Sequence, residues 1–211
     1  MVFPNGVLLW CWLALGTCTG CTANQILVVP TPTMDEVNIV YTSKQPVTLV
    51  ITDQLYRYEY TAEVPNWAWG AVAKDTLHLQ VGRSVASALR NLCEQAFGSV
   101  EAVPTIEAAH GGTTPPRTVV VPEIVRANLE QPTFRWAEIS AEVDVIYHVY
   151  RPNGSIEQFQ INGVGSHRLY ATKGNHALAF EDAVRDLVSK SAADLVRFVS
   201  QDGVHHPSPS A

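Results

Sequence analysis

Ile139-Ser-Ala-Glu-Val-Asp-Val-Ile-Tyr-His-Val-Tyr150, then Arg151-Pro-Asn-Gly154, then Ser155-Ile-Glu-Gln-Phe-Gln-Ile-Asn-Gly-Val164 is the stretch on which the fold turns. Val143, Val145, Tyr147 and Val149 alternate with Asp144 and His148, the two-residue period of a strand with one face buried. Between the two runs, Pro, Asn and Gly favour a tight reversal, so the pair reads as an antiparallel hairpin. At its end Gly163-Val-Gly165 predicts a bulge or a close backbone contact. A phosphate cradle does not fit, because the rest of the dinucleotide fingerprint is missing.

Upstream, Thr118-Val-Val-Val-Pro-Glu-Ile-Val125 reads as a strand whose Pro122 implies an edge or a bulge. Val47, Leu49 and Ile51 alternate with Thr48, Val50 and Thr52, and Leu55-Tyr-Arg-Tyr-Glu-Tyr60 alternates too, with Tyr56, Tyr58 and Tyr60 on one side. These predict two antiparallel strands joined at Asp53-Gln54. Ser99 to Ile106 predicts a short strand, and Glu107 to Pro116 a loop.

Two segments carry the helical period instead. Val81, Val85, Ala88, Leu89, Leu92, Cys93, Ala96 and Phe97 form one apolar stripe that Gly98 ends. Asn175 is a candidate N-cap for a second helix, in which Ala177, Phe180, Ala183, Val184, Leu187, Val188, Ala192, Leu195, Phe198 and Val199 trace a face and Glu181 supports Arg185. The expected fold is α+β: a mainly antiparallel sheet with two amphipathic helices packed on one face.

The amino terminus has another character. Val7 to Leu15 is apolar, Gly16 to Gly20 is small and polar, and Cys21 follows. The run is far shorter than the ~20 apolar residues a bilayer requires, and its layout is that of a secretory signal. Thr19-Gly20-Cys21 resembles the end of a bacterial lipoprotein signal, where a small residue precedes the cysteine that is lipidated. The stretch departs from the pattern in having Cys18 three residues before Cys21 and no Lys or Arg in Met1 to Gly6. The alternative cut, Leu15-Gly16-Thr17-Cys18, would make Cys18 the lipidated residue.

The resemblance implies residues 1–20 as signal peptide and Cys21 as the lipidated N-terminus; Pro30 and Pro32, with no helical period around them, make 21–35 read as a tether, the remaining length fits one domain over 36–203, and 204–211 reads as a disordered tail after Asp202-Gly203. The resemblance also implies an anchor of acyl chains, palmitate among them. Because Thr22 rather than Asp follows Cys21, it points to the outer membrane, facing the periplasm; an unlipidated, soluble periplasmic protein is the alternative.

Composition narrows the task. The 211 residues carry a formal charge of -6 and no basic stripe, which argues against a nucleic-acid partner. Outside the signal Cys93 stands alone, so no internal disulfide is available and the fold must rest on its core. Cys93 sits on the apolar stripe and reads as a small buried hydrophobe, without a cationic neighbour to make it reactive.

His110-Gly-Gly112 lacks a Gly-x-Ser-x-Gly partner, and His148, His167, His176, His205 and His206 lack zinc-type spacing. Asp144 and His148 share a strand face and read as a surface pair. No catalytic residue, metal site or cofactor is expected.

The remaining candidates are Trp67 and Trp69 in Val64-Pro-Asn-Trp-Ala-Trp-Gly70, which read either as interface anchors or as a cover for the sheet. The element order resembles that of small lipoproteins that assist lipopolysaccharide assembly, lipid-transporting ABC systems and peptidoglycan synthases. That implies a noncatalytic accessory or scaffolding subunit, binding other envelope proteins and compatible with an oligomer in a larger complex. A lipid- or glycan-binding transport auxiliary is the alternative, and an envelope hydrolase stands third. Changing both Cys18 and Cys21 to serine is expected to move the protein from the membrane pellet to the soluble fraction, checked by fractionation.

Overall fold

The structure, a computed structural model, describes residues 23–34, 43, 45–65, 74–111, 117–131, 138–168 and 174–200. In chain order the elements are β1 (Asn24–Val28), β2 (Val47–Val50), α1 (Asp53–Tyr56), β3 (Tyr60–Pro65), β4 (Lys74–Gln80) and α2 (Val81–Phe97). There follow β5 (Val100–Val103), α3 (Ile106–His110), β6 (Thr118–Glu130), β7 (Glu138–Tyr150), β8 (Ile156–Arg168) and α4 (Gly174–Ser200). The fold is α+β. Among the described residues the strands make two mixed sheets, β1-β4-β3 and β5-β2-β6-β7-β8.

The hairpin forms as its sequence demands. β7 and β8 pair antiparallel from Tyr150↔Ile156 to Glu138↔Arg168. In the turn Gly154 takes φ 84°, a conformation that favours glycine, and its N–H donates to the Arg151 carbonyl at 3.0 Å. Asn153 Oδ1 accepts from the Ser155 N–H at 2.9 Å. Ile139, Ala141, Val143, Val145, Tyr147 and Val149 then form one fully buried row.

The helices cover that row. All eight apolar positions of the first stripe are buried in α2, which ends at Gly98 with φ 71°. On α4, Ala177, Phe180, Ala183, Val184, Leu187, Val188, Ala192, Leu195 and Val199 are buried. The Gly163/Gly165 pair is a close backbone contact: a β-carbon on Gly163 would collide with the Ala183 carbonyl, and one on Gly165 with Ala183 N and Ala179 O. β8 therefore continues through both glycines to Arg168, where an interruption was expected.

Tyr147 Oη lies 2.7 Å from Ser191 Oγ, which itself donates to the Leu187 carbonyl at 2.7 Å. With the serine proton committed to Leu187, the phenol donates to Ser191. The buried tyrosine thus keeps a partner, as the cost of an unsatisfied hydroxyl requires.

Other expectations are corrected as well. Val47–Val50 is a strand, but it runs parallel to both β5 and β6 with all four residues buried. A strand covered on both faces needs no strict apolar/polar alternation, so the pattern read there did not fix its direction. Leu55 to Tyr60 is not the next strand: Thr52 Oγ1 accepts from the Leu55 N–H at 3.1 Å and caps α1, and β3 starts only at Tyr60. Part of the Glu107–Pro116 loop is helical, because Thr105 caps α3 through the Ala108 N–H.

Asn175 lies inside α4 and donates from Nδ2 to the Arg168 carbonyl instead of acting as an N-cap. Within the stretch read as a tether, Asn24–Val28 is a strand on β4, and Val29 enters the core. Pro122 is explained as expected: β2 leaves β6 after Val120, and the register slips between Ile124 and Arg126. The mainly antiparallel sheet is in fact mixed, because β1, β2 and β5 all join in parallel.

Gly163→Ala and Gly165→Ala are each expected to destabilise the fold by about 1–3 kcal/mol or more, since backbone and not a flexible side chain blocks the added carbon. Urea unfolding midpoints check this.

Candidate functional site

Cys18, Cys21, Trp67, Trp69, His205 and His206 lie outside the described residues, but the sheet fixes where the neighbouring chain sits. Ala23 is held at both backbone groups: its N–H donates to Asp75 Oδ1 at 3.0 Å, and its carbonyl accepts from the Thr76 N–H at 3.1 Å. β1 then pairs in parallel with β4 from Asn24↔Thr76 to Val28↔Gln80, and Ser84 Oγ holds the Pro30 carbonyl at 2.6 Å. On the other side Pro65 pairs with Lys74. The chain carrying Trp67 and Trp69 therefore leaves and rejoins the three-stranded sheet at the same end where β1 begins.

The outward face of this sheet is polar except along its β1 edge. Lys74 Nζ donates to Glu63 Oε2 at 2.9 Å and holds that carboxyl below the usual carboxylate range. His78 Nδ1 lies 2.7 Å from Glu59 Oε1. Beside them Ile26 and Val28 are 68% and 60% exposed, large apolar side chains on a strand edge with no neighbour among the described residues.

At the opposite end, past Gln80, lies an open cleft of about 490 Å³. It exists because α1 is clamped to the start of α2: the Gly82 N–H donates to the Tyr58 carbonyl at 2.9 Å, and a β-carbon at Gly82 would strike the Leu55 carbonyl. Tyr56, Arg57, Tyr58, Glu59 and Arg83 are among its lining. The Arg83 guanidinium sits 5.4 Å from the Tyr56 ring centre, and Arg57 pairs with Asp53 at 3.1 Å. Burial raises the Tyr58 phenol above its ordinary value. Exposed tyrosine and arginine are side chains suited to protein contacts. The sequence reading missed this cleft because it placed the tyrosines along a strand; Thr52-Asp53, a cap followed by a first-turn acid, was the signal for α1.

The other chemistry-bearing residues separate. Asp144 and His148 share a face but take different partners: Asp144 accepts from Asn162 Nδ2 at 2.6 Å and pairs with Arg126 Nε at 3.0 Å, while His148 lies 3.7 Å from Glu123. His110 stacks edge-on against Tyr150. His176 Nε2 lies 2.9 Å from Gln131 Nε2, and His167 Nδ1 3.8 Å from Asp182. Among the described residues no three His, Cys, Asp or Glu side chains gather as a metal site, and no helix is long and apolar enough to cross a membrane.

No protein-family model and no curated protein matches the chain. Its backbone is similar to that of a Xanthomonas campestris protein assigned to the DUF330 family, with a TM-score of 0.50 and 10% identity over 84% of this chain and 98% of that one. The two share a fold. A minor lipoprotein from Acinetobacter baumannii is matched at a TM-score of 0.39 and 11% identity, over 76% of this chain and 94% of that one. Rare lipoprotein B from Shewanella oneidensis is matched at 0.37 and 15% identity, over 74% and 95%.

Cys93 is completely buried, and burial pushes its thiol up from 9.0 to about 12; the Tyr147 phenol is also raised by burial. Cys93 should therefore resist thiol reagents near neutral pH until the fold opens. Both groups stay protonated in the fold at pH values where the unfolded chain ionises, so stability is retained below about pH 9 and falls as the pH rises toward 12. Urea midpoints across that window, with Cys93→Ala as the comparison, read out the thiol's share.

Proposed function

We propose that this chain is a noncatalytic, lipid-anchored accessory subunit of a bacterial cell-envelope assembly, moored through Cys21, with Cys18 as the alternative. The observation that carries the reading is the join between signal and body. A leader with a small-residue cut before a cysteine runs, after one further residue, into a backbone held by Asp75 and Thr76. Acyl chains on that cysteine make a stable anchor, since each buried methylene contributes ~0.8 kcal/mol and two chains release slowly. Thr22 after the cysteine favours the outer membrane, with the body facing the periplasm.

Two surfaces suit other envelope proteins: the Trp67/Trp69 loop and the Tyr56/Arg83 cleft. The cleft lies at the end of the three-stranded sheet opposite the Pro65/Lys74 pair that flanks the tryptophan segment. The reading needs no cofactor, metal or nucleic acid.

Sedimentation of detergent-extracted envelopes tests it. Wild-type protein is expected in a large complex, and Trp67→Ala/Trp69→Ala or Tyr56→Ala/Arg83→Ala protein is expected to shift toward the size of a free subunit while remaining acylated. Wild-type protein migrating as a free subunit would refute the accessory role. Two unshifted variants would remove both proposed surfaces.

A further inference from the structure

The described body begins where the proposed anchor ends. Two peptide steps separate Cys21 from Ala23, so their α-carbons lie at most ~7.6 Å apart. Ala23 cannot drift outward, because Asp75 and Thr76 hold both its backbone groups and β1 continues in register to Val28. Val29, 2% exposed, and the Ser84 bond to Pro30 fasten the far end of the strand. An acyl group on Cys21 would thus be coupled to a rigid sheet edge with almost no slack.

That edge is the apolar one. Ile26 and Val28 point to the same face of β1 and are 68% and 60% exposed; Ile156, at 62%, is the other large hydrophobic side chain this open among the described residues, and it stands apart from them on β8. At ~3.3 Å per residue they lie ~10 and ~17 Å along the strand from Ala23. The acids of the neighbouring strands on this face are each engaged, Glu63 by Lys74 and Glu59 by His78, so the column is not flanked by bare carboxylates.

We infer that the β1 edge lies along the bilayer surface, with Ile26 and Val28 seated in the headgroup region beside the acyl chains as a second membrane contact. The inference rests on the proposed lipidation and adds an orientation to it. Were the sheet to stand on its end instead, Val28 would ride ~17 Å above Ala23, out of the interface. With the edge down, both side chains leave water together and add apolar burial to that of the acyl chains. The β7–β8 turn, about 23 Å along the hairpin from the Ala127/Val143 pair that meets the smaller sheet, then lies away from the strand that touches lipid.

The test uses mature acylated protein in phosphatidylethanolamine–phosphatidylglycerol vesicles that carry a nitroxide near the headgroup. Asn24→Cys, Val28→Cys and, in the exposed β7–β8 turn, Pro152→Cys variants each receive one thiol-linked fluorophore, Cys93 being buried. Labels at 24 and 28 are expected to be quenched several-fold more than the label at 152. Adding Ile26→Glu is expected to relieve quenching at 28, as is a ~20-residue Gly/Ser insert after Thr22, whose ~25 Å span frees the body.

Quenching at 24 but not at 28 would overturn the edge-down arrangement, and so would equal quenching at 28 and 152. Mass spectrometry of the same preparations separates the two levels: an unacylated Cys21 would sink the lipidation and the orientation together, whereas acylated protein with an unquenched Val28 label sinks the orientation alone.

Discussion

Contact between two backbones, β8 against α4, sets the dimensions of this molecule. Gly163 and Gly165 let the helix approach until Ala179 and Ala183 rest on the strand, closer than any side chain there would permit. That approach brings Leu187 and Ser191 over β7, where Ser191 can receive the Tyr147 phenol. A helix held farther off would leave both hydroxyls buried without partners and open voids along a row of small residues, each a recognised source of large destabilisation. Phe159 and Phe198 then close the far part of the interface, stacked 4.5 Å apart.

The second organising feature is the change of neighbour along β6. Its first residues pair with β2, the register slips between Ile124 and Arg126, and the later part faces β3 instead, where Tyr58 meets the backbone of Ala127. One long strand of the larger sheet thereby also meets the chain that leads into β3. β2, with no exposed face, sits between β5 and β6 as a short buried strand. The smaller sheet is placed so that Tyr60 meets Phe180 of α4.

How much of this was readable depended on whether the signal was local. The β7–β8 hairpin, both long helices and the stop at Gly98 were legible because periodicity, turn chemistry and a positive φ are written in adjacent residues. The parallel placement of β2 was not, because its partners lie some fifty to seventy positions away and alternation says nothing of direction. α1 was hidden by a coincidence: Tyr56, Tyr58 and Tyr60 are spaced by two, yet only Tyr60 belongs to a strand, and the decisive residue was the cap at Thr52. Asn24–Val28 was misread because Pro30 and Pro32 look like linker chemistry, whereas pairing with β4 and the Ser84 bond turn the segment into a docked arm. The Tyr–Arg cleft depends on all of these placements at once, which is why no stretch of sequence announced it.

The parallel pairing of β1 also imposes an order of events. Ala23 waits for Asp75, 52 residues later, so the first strand of the body cannot close until most of the smaller sheet has emerged. Until then Ile26, Val28 and Val29 belong to open chain, and only the finished sheet carries Val29 into the core.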